Sequence, residues 1–379
     1  MMRRISLVAT VSLAVTAFGQ NAPPKPAPAM VMDFSKMEVK NVQVLKGASR
    51  DQLNWAMGFI SQSLGVRCEY CHVRNQNDFQ FALDDKKEKQ KARDMMRMVK
   101  LINDQNFDGH QRVTCATCHN GRTQPRAFTP IVDPETLKER AAQAPRPPAA
   151  GQGTAPAANP PAAELLAKYE AAIGGEAALA KLTTRTEKWT ITGVTPNPAS
   201  GETVREAPDK WVETTTFAPN RSATWVSNGA DARIVTPGMY QVVTGADLDD
   251  VKLMSNFWQT LRPTQVFSRA TTTGLRDVSG HRTYVVDAEL KDSKVKEQLF
   301  FDADSGLLLR RIIFRPTLLG ALADQADFDD YRTVDGVKVP FVVKSANGLG
   351  VNTRTYTDVR FNLPVDDAKF AMPPAPSGQ

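Results

Sequence analysis

Hydrophobic residues recur at helical spacing in a stretch that begins near residue 50. The apolar positions share one helical face: Leu53, Met57, Ile60 and Leu64. Before them, Ser49-Arg-Asp-Gln52 has the form of a capping box, and after them Gly65 is a residue type that ends helices. The pattern therefore predicts a helix that ends just before Cys68.

A second helix is predicted over Lys86 to Asn103. Its apolar stripe comprises Ala92, Met95, Val99 and Ile102. The other side is rich in charge, which we interpret as a solvated exterior. A loop through Phe107 and His110 then leads to Cys115.

The pattern changes after residue 163. One amphipathic helix carries Leu165, Leu166, Tyr169 and Ile173 and is stopped by Gly174-Gly175. Strand-like runs follow at 186–194, 210–216, 222–227, 282–290, 296–301, 307–314, 337–343 and 353–361. Turn signals stand at Asp304-Ser-Gly306 and Asp335-Gly336, and a helix is predicted over Asp247 to Leu261. This is the pattern of a large antiparallel sheet with few helices.

Composition divides the chain of 379 residues. Arg3 and Arg4 precede a short apolar stretch and small residues, so residues 1–19 are predicted to be a signal peptide, with an uncleaved anchor as the alternative. Residues 20–32 are predicted to be a flexible lead, 33–130 a first domain, 131–163 a Pro/Ala-rich linker and 164–375 a second domain. The fold class is multidomain α plus α+β, with a small all-α domain, the linker, and an antiparallel β-rich half-barrel-like domain with a few helices.

Two Cys-x-x-Cys-His motifs use all four cysteines: Cys68, Cys71 and His72 in the first, Cys115, Cys118 and His119 in the second. In c-type haem attachment, two thiols add across the haem vinyl groups and the adjoining imidazole becomes the proximal iron ligand. The motifs therefore predict two covalently bound haem c groups, with His72 and His119 on the irons.

Other uses of the four cysteines explain less of the pattern. A structural zinc site or two local disulfides would leave the adjoining histidines without a role. A thioredoxin-like motif needs a surrounding βαβ pattern, which neither pair has.

Several residues are candidates for the sixth position on each iron. Met57 lies on the apolar face of the first helix, where it is either a thioether ligand or a core methionine. For the second haem the candidates are Met95, Met98 and the loop residue His110. Met96 is rotated by about 100° from Met95 and is predicted to pack peripherally.

The stretches from Met57 to His72, Ala92 to Asn103 and Val113 to Gly121 resemble the tetrahaem cytochrome subunit of photosynthetic reaction centres. In that family a Met on the helix before each of three motifs ligates the iron. The resemblance therefore implies Met57 for the first haem and Met95 for the second. The fourth haem of the family is bis-His, which keeps His110 as an alternative.

The resemblance covers roughly residues 33–130, about half of the tetrahaem core, with two haem motifs. A four-haem wire cannot be built from this chain. What the resemblance implies is therefore haem ligation and electron transfer by a di-haem relative found outside photosynthesis.

The C-terminal region resembles the LolA/LolB-type lipoprotein carriers. The sequence segments 301–310 and 335–341 carry that resemblance. It implies a curved sheet around an apolar cavity. Residues that could line such a cavity, or form an ordinary core, are Phe300, Leu308, Ile312, Phe341 and Phe361. We favour the ordinary core, because filled interiors are the rule.

The leading hypothesis is a periplasmic electron carrier, soluble or loosely membrane-associated, without a substrate of its own. Its partners would be redox proteins or a membrane electron-transfer complex. One alternative is a haem-dependent oxidoreductase or peroxidase with an open second haem, and another is a carrier of lipid or quinone. The formal charge of +6 is spread along the chain, which argues against a nucleic-acid partner.

Overall fold

The structure is a computed structural model that describes residues 30–33, 39–75, 78–125, 159–193, 197–218, 221–237, 239–291, 293, 295–347 and 350–374. The predicted signal peptide and residues 131–158 of the predicted linker lie outside the described residues. Within the described residues, no helix has the length and apolarity needed to cross a membrane.

The N-terminal region is built around two helices, as the apolar spacing predicted. Helix α1 spans Arg50–Leu64 and begins with the predicted capping box, in which Ser49 and Gln52 bond reciprocally. It ends at Gly65, whose φ of 66° is the left-handed conformation that glycine adopts without cost. Helix α2 spans Lys87–Asn106, and a short helix α3 spans Cys115–His119. A small hairpin of β2 (Val73–Asn75) and β3 (Asp78–Gln80) lies between α1 and α2.

One sheet of 14 strands dominates the rest of the chain. Its strands in chain order are β1 Met30–Asp33, β4 Thr184–Thr192, β5 Ala199–Glu206, β6 Lys210–Ala218, β7 Arg221–Ser227, β8 Ala232–Thr236, β9 Met239–Val243, β10 Phe267–Val278, β11 His281–Leu290, β12 Lys296–Asp302, β13 Leu308–Thr317, β14 Gly320–Val334, β15 Val337–Asn347 and β16 Gly350–Phe361.

The sheet consists of two antiparallel meanders, β4 to β9 and β10 to β16. They are joined where β16 pairs with β4, in a register that places Tyr356 opposite Trp189. At one edge, β1 pairs in parallel with β9. Residues 30–32, predicted to belong to a flexible lead, are part of this edge strand. Within the described residues the sheet is open, because its outer strands β1 and β10 each pair with one neighbour, and the predicted fold class is confirmed.

Helices cover one face of the sheet. They are α4 (Ala162–Ala172), α5 (Glu176–Leu179), α6 (Gly245–Ser255) and α7 (Pro263–Val266), with a 3₁₀ turn at Asp367–Phe370. The main core joins α4 to the sheet, where Tyr169 packs against Phe301 with ring centroids 5.4 Å apart. A smaller core places Val251 of α6 against Trp211 and Ile234. Burial of these apolar side chains holds the helices on the sheet.

Candidate functional site

Each Cys-x-x-Cys-His motif folds into a single helical turn. Cys68–Tyr70 form a 3₁₀ turn, and the amide of His72 donates to the carbonyl of Cys68 at 3.0 Å. The second motif is helix α3, with Thr114 as its N-cap. One turn brings the first cysteine and the histidine of a motif to the same side of the backbone. Both motifs can therefore present their thiols and imidazole to one flat group.

All four cysteines are free thiols. Cys115 is buried and Cys118 exposed, while Cys68 and Cys71 are half-buried. Burial raises the pKa of Cys71, with a further contribution from Glu88, and burial also raises the pKa of Cys115. Among the described residues, no three His, Cys, Asp or Glu side chains gather as a metal ion would require.

The His119 ring is oriented by the end of its own turn. Its Nδ1 lies 2.8 Å from the carbonyl oxygen of Arg122, which can only accept a hydrogen bond. The proton is therefore on Nδ1, and the lone pair of Nε2 is free. This is the tautomer that a histidine needs to bind a metal through Nε2.

The His72 ring lies in a different environment. Its Nδ1 is buried without a hydrogen-bond partner, and its ring meets Phe81 edge-on with centroids 5.0 Å apart. Burial, and then the charges of Lys89, Arg93 and Lys86, lower the pKa of His72. The imidazole is therefore held neutral, which is the form that ligates iron.

Two cations of α2 hold the segment that carries Phe81. Lys89 donates to the carbonyls of Phe81 at 2.8 Å and Leu83 at 2.6 Å, and both Lys89 and Arg93 pair with Asp84 at 2.9 Å. Hydrogen bonds from Arg93 and Lys89 hold the pKa of Asp84 well below its usual range. Most charged residues of this region were predicted to form a solvated exterior, and Lys89 and Arg93 are exceptions, buried because they bind carbonyls and a carboxylate.

The predicted apolar face of helix α1 is buried or half-buried. Leu53 and Ile60 are buried, and Met57 between them is half-buried. The structure does not otherwise test Met57 as an iron ligand, so that assignment stays a prediction.

The predicted stripe of α2 is half-buried at all four positions: Ala92, Met95, Val99 and Ile102. Beside it, Met98 is exposed at 42% and Leu101 at 53%. This side of α2 therefore offers a partly open apolar surface, which suits a flat apolar group. Met96 is buried rather than peripheral, since it shares the inner face of α2 with Arg93 and Asn103. His110 is exposed in its loop.

Asn103 fixes the loop that leads into the second motif. Its Oδ1 accepts from the amides of Arg112 at 3.0 Å and Val113 at 2.9 Å, and its Nδ2 donates to the carbonyl of Val113 at 2.7 Å. Asn103 is 5% exposed. Asn103 was not predicted as a functional residue from the sequence. Its only mark in the sequence is an amide side chain on the inner side of an amphipathic helix.

The end of α1 meets the segment after the second Cys-x-x-Cys-His motif at two glycines. The amide of Gly121, just after α3, donates to the carbonyl of Ser63 at 2.8 Å. A Cβ at Gly65 would clash with the carbonyl oxygen of Gly121. The end of α1 and the end of the second motif are therefore in direct backbone contact, a relationship with no signal in the sequence.

In the C-terminal domain the five residues suggested for a cavity divide between two cores. Leu308, Phe341 and Phe361 belong to the main core, whereas Phe300 and Ile312 lie in a separate cluster with Val285. Alternate residues of a strand face opposite sides of a sheet, so the five cannot line one cavity.

Ion pairs occupy the middle of the sheet. Arg354 makes two bonds of 2.9 Å to Glu213, which also accepts from Thr203, and its guanidinium lies 3.9 Å from the centre of the Trp189 ring. A binding surface for acyl chains would be apolar, so this part of the sheet does not favour a lipid.

Comparison with solved structures gives several chains that overlap the C-terminal part. A DUF1329 family protein from Desulfovibrio piger is 11% identical, with 55% of this chain and 95% of that chain covered and a TM-score of 0.41. A LolA superfamily protein from Nitrosomonas europaea is 14% identical, with 56% of this chain and 98% of that chain covered and a TM-score of 0.40.

Comparison of sequences concerns the N-terminal part. Cytochrome c-554 of Chloroflexus aurantiacus is 41% identical over 87 residues, which are 21% of this chain and 20% of that protein. The chain thus spans about a fifth of the length of this relative. The family model described as photosynthetic reaction centre cytochrome C subunit matches residues 5–173, just under half of the chain. The resemblance predicted from the two Cys-x-x-Cys-His motifs is therefore confirmed, and the N-terminal part of this chain is similar to the cytochrome c subunit of photosynthetic reaction centres.

Proposed function

We propose that this chain is a di-haem c-type cytochrome that transfers electrons. The observation that carries the proposal is that both Cys-x-x-Cys-His motifs form one helical turn with free thiols and a histidine on the same side. Cys68 and Cys71 would hold one haem, and Cys115 and Cys118 the other. The orphaned Nδ1 of His72 and the fixed tautomer of His119 both suit an imidazole bound to iron.

Met57 and Met95 are the proposed sixth ligands, with Met98 and His110 as alternatives for the second haem. Bound haem would supply a centre that takes up and releases one electron. The chain would supply axial ligands, an apolar surface on α1 and α2, and cations near His72. Six-coordinate irons would leave no position for a substrate, so we propose a carrier rather than an enzyme.

The proposed location is the periplasm, because c-type haem attachment occurs outside the bacterial cytoplasm and residues 1–19 have the form of a signal peptide. The proposed partner is a redox protein or a membrane electron-transfer complex. A lipid or quinone at the C-terminal domain is not favoured, given the ion pairs of Arg354 and Glu213.

Haem number is tested by the intact mass of the full chain from a host competent in c-type maturation. We expect the mass of two added haems, one lost in the Cys68→Ser/Cys71→Ser variant and the other in Cys115→Ser/Cys118→Ser. Addition of a single haem to the unaltered chain would contradict the di-haem proposal.

Ligation is tested by magnetic circular dichroism and carbon monoxide binding. We expect a Met-to-iron charge-transfer band from both haems and no carbon monoxide binding. Met57→Ala should remove the band of the first haem and lower its potential, whereas the matched change Met254→Ala, beside the smaller core of the C-terminal domain, should do neither. Carbon monoxide binding to one haem of the unaltered protein would instead favour an oxidoreductase with that haem as its active site.

A further inference from the structure

Helix α1 has a second face, opposite the one that carries Met57. Four positions form it at the spacing of a single helical side: Asp51, Trp55, Gly58 and Gln62. Each of them meets the C-terminal domain. Met57 points about 130° away around the helix axis from the centre of this face. The helix is therefore held between the two parts of the chain.

The first contact joins α1 to α6. The indole Nε1 of Trp55 donates to Oδ1 of Asp247 at 3.0 Å. Close by, a Cβ on Gly245 would lie 2.7 Å from Oδ2 of Asp51. These contacts fix the N-terminal half of α1 against the start of α6.

The second contact joins α1 to β14. Ala323 pairs with Phe314 of β13, but within the described residues the pairing of β14 with β15 begins at Gln325, opposite Ala346, so Ala323 has no described partner on β15. Instead, Nε2 of Gln62 donates to the carbonyl of Ala323 at 2.8 Å, and the amide of Ala323 donates to Oε1 of Gln62 at 3.2 Å. The side-chain amide takes the place of a strand, which satisfies both backbone groups of a half-buried segment.

The turn between β13 and β14 touches both haem units. A Cβ on Gly320 would meet Cζ of Phe59 at 2.5 Å, so the turn lies directly on α1. Gln111, in the loop before the second motif, donates to the carbonyl of Leu318 at 2.6 Å. Leu322 packs over Gly58, 3.4 Å from where its Cβ would be. The hairpin thus contacts the elements that lead into each motif.

We propose that the β13–β14 hairpin and α6 position the sixth ligand of the first haem, by fixing the rotation of α1 about its axis. Trp55 and Gln62 are the positioning residues, and they act through the helix on Met57. The inference rests on the proposed function, in which Met57 ligates the first iron. It gives the C-terminal domain a role as the support of a haem site.

The physical basis is that a thioether stays at the iron partly through its bond to the metal and partly because its helix positions the sulfur there. A helix that turns by a small angle carries the sulfur of Met57 away from the iron. Two hydrogen bonds at Ala323 and one at Asp247 resist that rotation from the far side of the helix. Loss of one such bond should move the balance between bound and dissociated Met57 about fivefold toward dissociation.

The test uses the full haem-loaded chain with Gln62→Ala, Leu322→Ala and Trp55→Phe. Leu322→Ala changes the C-terminal domain alone, and Trp55→Phe keeps a ring while removing its N–H donor. In each we expect a weaker Met-to-iron band and a lower potential for the first haem, with the potential of the second haem unchanged. Matched controls are Gln298→Ala on β12 and Leu275→Ala on the outer strand β10, which should alter neither haem.

The outcomes separate the two proposals. If Met57→Ala leaves the spectrum of the first haem unchanged, Met57 is not its ligand and the functional assignment fails. If Met57→Ala removes the band while Gln62→Ala, Leu322→Ala and Trp55→Phe all leave it intact, the positioning role is overturned. Equal losses in the control variants would also overturn it, since they would show general loosening of the fold.

Discussion

The backbone amide of Gly121 donates to the carbonyl of Ser63 at 2.8 Å, and Gly65 packs directly on this bond. Gly65, which ends α1, is therefore in direct contact with Gly121, which follows the second Cys-x-x-Cys-His motif. In the proposed function, a change at either glycine should affect both haem sites.

Gly65→Ala should be strongly destabilising. Its φ of 66° disfavours any side chain, and the new Cβ would clash with the carbonyl oxygen of Gly121. Together, strain and overpacking should cost about 3 kcal/mol or more in the free energy of unfolding. Denaturant titration of the haem-loaded protein gives this value.

Gly47→Ala is the matched control for this prediction. Gly47 also has a positive φ, of 81°, but its Cβ would meet nothing within 4 Å. It should cost about 1 kcal/mol, from strain alone. Equal costs at the two positions would show that the approach of Gly121 is unimportant.

Asn103→Ala should loosen the loop before the second motif. The amides of Arg112 and Val113 and the carbonyl of Val113 would lose their partner. We expect a loss of about 3 kcal/mol, because buried polar groups would be left unsatisfied. The exposed Asn106, on the same helix, bonds only to a carbonyl of its own helix, and Asn106→Ala should stay within about 0.5 kcal/mol. Urea unfolding of both variants tests the difference.

The pairing of α1 with α6 should make stability depend on pH. Burial, and then the neighbouring Asp51, raise the pKa of Asp247. Above the ordinary pKa of an aspartate the folded state therefore binds more protons than the unfolded state, and stability falls as the pH rises through that window. Asp247→Asn keeps an oxygen for the Trp55 N–H and removes this titration.

We therefore expect Asp247→Asn to be more stable than the unaltered protein at neutral pH, with the advantage shrinking as the pH falls toward 4. Thermal unfolding at several pH values measures it. Asp249→Asn, an exposed position on α6, should follow the unaltered protein. An advantage for Asp247→Asn that is the same at every pH would rule out the titration as its cause.

Removing one partner of the Arg354–Glu213 ion pair in the middle of the sheet should lower the free energy of unfolding. Arg354→Met leaves the carboxylate of Glu213 buried with Thr203 as its remaining close partner, and we expect a loss of about 3 kcal/mol. Arg360→Met breaks an exposed pair with Asp358 on the same strand and should change stability by less than about 0.5 kcal/mol. Adding Glu213→Gln to Arg354→Met should recover part of the loss.

The sequence predicted local structure well where a face is apolar. Helix α1, its capping box and its terminating glycine follow from spacing alone, as do the eight strands named in advance. The apolar period describes which face a helix buries, and Leu53 and Ile60 are buried. It says nothing about the opposite face, where Trp55 and Gln62 meet residues far along the chain.

The burial of charged side chains was not predicted, for a related reason. Lys89 and Arg93 look like solvated residues until Asp84 and two carbonyls are placed beside them. Strand β14, which carries several aspartates, was not among the predicted strands. In the sheet, Asp327 pairs with Arg310 at 2.5 Å. Such partners are set by strand register, which no single segment encodes.

The pairing of β16 with β4 also sets an order of assembly. The last strand of the sheet, β16, lies beside β4, the first strand after the predicted linker, so this pairing cannot form until almost the whole chain has been synthesised. Both Cys-x-x-Cys-His motifs precede these strands in the chain. The partners of α1 also follow the motifs, since Trp55 and Asp247 are 192 residues apart and Gln62 and Ala323 are 261 apart. In the proposed function the thiols could therefore receive haem while α1 is still undocked, and closure of the sheet would follow as the step that fixes the first site.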